Sequence, residues 1–108
     1  MKFLISVKPN PNVPTPAPEQ MAGLLQGFVA EVRGQLSRGE LICAFGTGQG
    51  EGFAIADTAT TEDAWKLAAR NPLFPLWNVE VTALTDPIVL TEALLEIAQS
   101  RQRELAAV

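Results

Sequence analysis

The sequence has no histidine. That removes the usual general base near neutral pH, the commonest metal ligand, and both the Ser-His-Asp and the Cys-His triads. The single cysteine, Cys43, has no partner for an internal disulfide and no companions for a metal site, so no metal is expected. It lies in an apolar run without a basic neighbour, which reads as a buried inert thiol rather than a nucleophile. Positive charge is also scarce. Eight Lys and Arg against twelve Asp and Glu give a formal charge of -4, and the eight are scattered. A nucleic-acid surface and an anionic-membrane surface are both disfavoured. Long apolar runs are missing too: Met1–Val7 is cut short by Lys8 and the prolines, and no later run would span a bilayer. A reducing, cytoplasmic setting fits these absences.

What is present suits a folded chain. With 108 residues, 47% of them hydrophobic and 19% charged, positions 1–108 make one domain, with a core over about 1–85 and a helical extension over about 86–108. Lys2–Lys8 alternates, with Phe3, Ile5 and Val7 on one side and Leu4, Ser6 and Lys8 on the other, which predicts a strand. The five prolines between Pro9 and Pro18 then exclude helix and sheet interior, leaving a stiff spacer or a lid. From Glu19 to Arg38, Met21, Leu24, Leu25, Phe28, Val29, Val32 and Leu36 fall on one helical stripe, and Gly39 is placed to end it. Gly23, Gly27, Gly34 and Ala30 cluster opposite that stripe, a small-residue face suited to cover by the C-terminal segment or a neighbouring subunit.

Short strands are predicted at Glu40–Phe45 and Phe53–Asp57, joined by Gly46-Thr47-Gly48-Gln49-Gly50-Glu51-Gly52. The glycine spacing matches no phosphate-binding fingerprint, and the loop joins two strands, so it reads as a hairpin connection. Thr60-Thr61-Glu62-Asp63 starts a second helix, with Trp65, Leu67 and Ala68 as its apolar contacts, and Asn71-Pro72 stops it. A fourth strand follows, with Trp77, Val79, Val81 and Ala83 on one face and Asn78, Glu80 and Thr82 on the other. After Asp86-Pro87, the spacing of Leu94, Ile97, Ala98 and Leu105 predicts a last helix over about Thr91–Leu105.

The order β-α-β-β-α-β plus a helix is the α+β ferredoxin-like plan, with the helices on one sheet face. The second face carries Leu4, Ser6, Lys8, Asn78, Glu80 and Thr82, too mixed to leave bare. Two such faces closing across a two-fold axis would enclose it, so a homodimer or higher homo-oligomer is expected.

The run Asn71-Pro72-Leu73-Phe74-Pro75, followed by Asn78-Val79-Glu80-Val81-Thr82, resembles the muconolactone isomerase family, whose members have a comparable Leu-Pro-Leu-Phe-Pro turn leading into an acidic, Val-rich strand. The resemblance implies a dimeric α/β barrel, often assembled further into a ring. It also implies a cofactor-free proton shift in a small unsaturated lactone or related organic acid.

On the strand faces, Glu80 is the candidate base, because enclosure by a dimer would raise a carboxylate's pKa by desolvation. Lys8 shares its face and is the candidate to stabilise an enolate, with a cross-strand ion pair as the plainer alternative. Ser6, Asn78 and Thr82 are candidates to orient a small organic substrate, and Phe74 and Trp77 to line an apolar pocket mouth, although aromatics beside a strand are more often core. Two further readings stay open: a non-catalytic ligand-binding or oligomerisation module, and a cofactor-free monooxygenase-like enzyme.

Overall fold

The computed structural model describes residues 1–107. Lys2–Pro9 forms β1, Pro18–Ser37 α1, Leu41–Gly46 β2, Gly52–Asp57 β3, Thr61–Ala69 α2, Trp77–Ala83 β4 and Pro87–Ala106 α3, with a 3-10 turn at Phe74–Leu76. The strands make one antiparallel sheet in the order β2-β3-β1-β4, the ferredoxin-like plan. α1 packs over β2, and α2 over β1 and β4, so both helices cover the same face.

The register sorts the side chains row by row. Ile5 stands beside Ala54 and Val81, and Val7 beside Gly52 and Val79, facing the helices. Leu4 stands beside Ile55 and Thr82, and Ser6 beside Phe53 and Glu80, facing away. The buried apolar residues are Phe3, Ile5, Leu41, Ala56, Ala64, Leu67, Ala68 and Leu73, all between the sheet and the two helices. Burying them is the main term holding the layers together.

Local chemistry explains the ends of the elements. Thr60 accepts a hydrogen bond from Asp63 N at 3.1 Å and caps α2, whose first turn carries Glu62 and Asp63. Gly39, with φ +74, follows the last residue of α1's cap and turns the chain into β2. Asn71 Oδ1 accepts from Leu73 N at 2.9 Å, which folds the Asn71-Pro72 corner back on itself before β4.

Several expectations are corrected. In α1 only part of the stripe is covered: Met21, Leu24, Phe28 and Val32 are half-buried, while Leu25, Val29 and Leu36 face out. Trp65 is exposed, and Ala64 takes its place in the core because it lies one turn from Leu67 and Ala68. Within the chain, Gly27 is met by Pro72 rather than by the C-terminal segment: a Cβ there would stand 2.8 Å from Pro72 Cγ. The last helix starts at Pro87, earlier than its apolar spacing suggests, because Asp86 Oδ1 accepts from Ile88 N at 2.8 Å and proline suits the first helical position. None of α3's side chains is buried.

Candidate functional site

The helix-facing side of β2 and β3 is built from small residues. Ala44 pairs with Ala54, and Gly46 with Gly52, while their neighbours Phe45 and Phe53 alternate to the other face and touch the cavity only at its hairpin end. Helices pack on a sheet at a distance set by the larger side chains, so a patch of Ala and Gly leaves space beneath them. The space is a cavity of about 420 Å3. Ile5, Val7, Ala44 and Ala54 form its floor, Phe28 and Val32 of α1 and Leu67 and Ala68 of α2 its roof. Trp77 closes one side, held edge-on to Phe28 with ring centroids 6.0 Å apart. The β2–β3 hairpin, with Gly46, Gly50 and Glu51, forms the mouth. Gly50 has φ +77, which the turn requires, and Thr47 N donates to Glu51 O at 2.8 Å to close the loop.

Three polar side chains line this apolar space: Gln35, Asn71 and Glu51. Gln35 is 4% exposed and Asn71 7%. Gln35 Nε2 donates to Leu67 O and to Glu31 Oε1, each at 3.0 Å, so both its N–H groups are used. Among the described residues its Oε1 accepts from no group, yet no buried side-chain oxygen or nitrogen is left sealed without a partner. The cavity is the space left to it. Asn71 is committed the other way round, since its Oδ1 is taken by Leu73 N and its amide N–H groups are spare. Two residues lining the apolar cavity thus keep unused hydrogen-bonding groups, an acceptor on Gln35 and donors on Asn71.

The acceptor is fixed from outside. Glu31 Oε1, which holds the Gln35 amide, stands 3.5 Å from Arg70 Nε, and Arg70 Nη2 is 2.6 Å from Glu40 Oε2. Arg38 Nε is 2.6 Å from Glu40 Oε1. Hydrogen bonds from Arg70 and Arg38 hold the Glu40 carboxyl below its ordinary range, which favours its charged form between the two guanidinium groups.

The residues singled out by sequence lie in two places. Trp77 lines the cavity, and Phe74 packs against the core cluster behind it. Ser6, Lys8, Asn78, Glu80 and Thr82 lie on the far face of the sheet, where Ser6 stands opposite Glu80 and Lys8 opposite Asn78. Lys8 and Glu80 are exposed diagonal neighbours, and no ion pair joins them among the described residues. Cys43 is half-buried beside Ile55 on that same face. Gln35, Asn71 and the hairpin mouth were missed. Their signal was in the sequence: small residues at successive helix-facing positions of β2 and β3, under a helix whose apolar stripe is interrupted by a glutamine.

Among the described residues no group of three or more His, Cys, Asp or Glu is arranged to hold a metal ion, and no helix is long and apolar enough to cross a membrane. No family model matches the sequence, and a search of curated proteins finds none that is similar. Solved structures do share the fold. Muconolactone isomerase superposes with a TM-score of 0.68 over 81% of this chain and 92% of its own, at 18% identity. The 5-chloro-2-hydroxyhydroquinone dehydrochlorinase from Burkholderia phenoliruptrix, solved in complex with 2,5-dihydroxybenzoquinone, does so with a TM-score of 0.58 over 79% of this chain and 94% of its own, at 15% identity. With the ferredoxin-like plan of its sheet and helices, the chain has a muconolactone isomerase-like fold.

Proposed function

We propose that this chain binds a small, mainly apolar organic molecule in the cavity under α1 and α2, and moves a proton on it without a cofactor. The observation that supports this most is the cavity's paired polarity: an acceptor at Gln35 and a donor at Asn71, both held by the fold, within walls that are otherwise apolar. Such a site selects a single-ring molecule carrying one hydroxyl and one carbonyl or lactone oxygen. An unsaturated lactone, a related organic acid and a hydroxyquinone all meet that description. Its volume of about 420 Å3 suits a ligand of that size.

Proton transfer needs a base within reach. Glu51 is the one acidic residue among those lining this cavity, at its mouth, and we assign the base to it. Glu80 with Lys8 is the second placement. It rests on the outer sheet face, becomes sheltered only when a second copy covers that face, and would act on a ligand held between copies.

Two probes test the reading, muconolactone and 2,5-dihydroxybenzoquinone. The chain has two tryptophans, so it gives two indole N–H signals, and only Trp77 lines the cavity. Saturable movement of the Trp77 signal with the Trp65 signal unmoved is the expected result. Gln35→Leu should weaken binding about tenfold, the worth of one hydrogen bond in an apolar site. Glu51→Gln should abolish turnover of the lactone while binding persists, and Glu80→Gln should leave turnover intact; the reverse pattern moves the chemistry to the outer face. If neither probe shifts Trp77, or both indoles shift alike, the cavity is not the site.

A further inference from the structure

α3 is an unusual element for a chain of this size. It is a 20-residue helix with no buried residue, and Leu90, Leu94, Ile97 and Leu105 are 50%, 56%, 55% and 77% exposed. At 100° per residue these four fall within about 80° of one another, an apolar side that Arg101 shares and whose arginine stem can lie along a partner surface. The chain pays for no such cover itself: its accessible surface is 7749 Å2, against about 5,800 Å2 for a compact protein of 11.6 kDa. The excess of roughly 1,900 Å2 falls in the range that one partner of an obligate pair buries, about 1,000–2,500 Å2.

The same chain carries the matching surface. On α1, Leu25, Val29 and Leu36 are 47%, 44% and 39% exposed and fall within about 40° of one another. Ala22 lies beside them, small enough to let a second helix approach closely. α3 cannot serve a membrane as well as it serves this stripe, because Glu92, Glu96 and Glu104 outnumber Arg101 and Arg103 on it.

We propose that α3 is an exchanged arm: in a two-fold dimer of this chain, the α3 of each copy lies along the outward stripe of α1 on the other. The sheet topology makes this reachable. β2 and β4 are the two open edges, α1 lies over β2, and α3 follows β4. When two copies close outer face to outer face about an axis parallel to the strands, the β4 edge of one comes beside the β2 edge of the other. The tether Leu84–Asp86 then spans about 10 Å, the spacing of two facing sheets, so α3 starts at the level of the partner's sheet edge and its own length carries it on into the partner's helix layer. Closure in this way also covers Phe45 and Phe53, which are 62% and 42% exposed and stacked on each other at 5.6 Å on the outer face.

The test uses the full-length chain. Leu94→Glu with Ile97→Glu alters the arm, and Leu25→Glu with Val29→Glu alters the surface that receives it. All four side chains are exposed in a single copy, so unchanged circular dichroism is the control for folding. The wild type should sediment as two copies or a multiple of two, and either double variant should fall to a smaller assembly. Gln99→Glu, on the side of α3 opposite Leu90, Leu94 and Ile97, should leave the mass unchanged. In a sample mixed from isotope-labelled and unlabelled chains, proton contacts filtered for pairs between copies should join Leu94 and Ile97 to Leu25 and Val29. A wild type that sediments as a single copy overturns the proposal. So do double variants that keep the wild-type mass, or an α3 whose contacts run only to its own body or only to the other α3.

Discussion

Glu40 is the residue on which the polar framework of the cavity converges, although it lies outside the cavity. Arg70 Nη2 and Arg38 Nε each reach its carboxylate at 2.6 Å, and these hydrogen bonds pull its pKa down from the ordinary 4.5 against a smaller opposing desolvation. A carboxyl whose pKa is lower in the folded state takes up its proton first in the unfolded state. Its stabilising contribution is therefore complete above the ordinary value and is lost as pH falls from about 4.5 through the lower folded value. Glu40→Gln should unfold at a lower urea concentration than wild type at pH 7, with the gap narrowing as pH falls below the ordinary 4.5. A gap that stays constant across that range would mean the arginines are not its cause. Because Arg70 also faces Glu31, and Glu31 holds the Gln35 amide, the same substitution should weaken binding of either probe at pH 7 by no more than a few-fold.

At the scale of elements, α1 shows what its glycines are for. An added Cβ at Gly23 meets nothing within 4 Å, whereas one at Gly27 stands 2.8 Å from Pro72 Cγ. Gly23→Ala should stabilise the protein by up to about 1 kcal/mol through helix propensity alone. Gly27→Ala gains the same propensity but displaces the rigid Asn71-Pro72 corner, and should destabilise by about 1–2 kcal/mol net. Urea midpoints of the two variants moving in the same direction would show that the corner yields freely. The sequence made the strands and helices of this layer legible, because period-2 and period-3.6 patterns are local properties of Phe3–Val7, Leu24–Val32 and Trp77–Val81. It did not show which part of a broad apolar stripe would be covered. Leu25 and Val29 look no different from Leu24 and Phe28 until the position of β2 beneath the helix is known. The cavity was legible only in hindsight of pairing, since Ala44, Gly46, Gly52 and Ala54 become one patch only when β2 and β3 are in register. Read singly, the glycines of that hairpin marked a turn, which they are, and not the mouth of a pocket.

For the whole molecule, the dimensions decide what kind of stability it has. Its radius of gyration is 19.5 Å and its longest extent 72 Å, whereas a compact chain of this length would have a radius of about 13 Å. The extra length is α3, an amphipathic helix standing in solvent with its apolar side unpaired. Most of the stability of a helix in a protein comes from packing its apolar face, so α3 calls for a surface to lie against. If that surface belongs to a second copy, folding and association are one equilibrium and the melting temperature must depend on protein concentration. A tenfold rise in concentration shifts such a dimer by about 1.4 kcal/mol, which for two chains of this size raises the melting temperature by about 3–5 °C. Scans at 5, 50 and 500 µM, concentrations chosen to span about two such decades, should show that steady rise in wild type. They should show little or none in the Leu94→Glu, Ile97→Glu variant. A wild-type melting temperature independent of concentration across the same range would mean that α3 contributes nothing to the folded assembly, and that the sheet and its two covering helices stand alone.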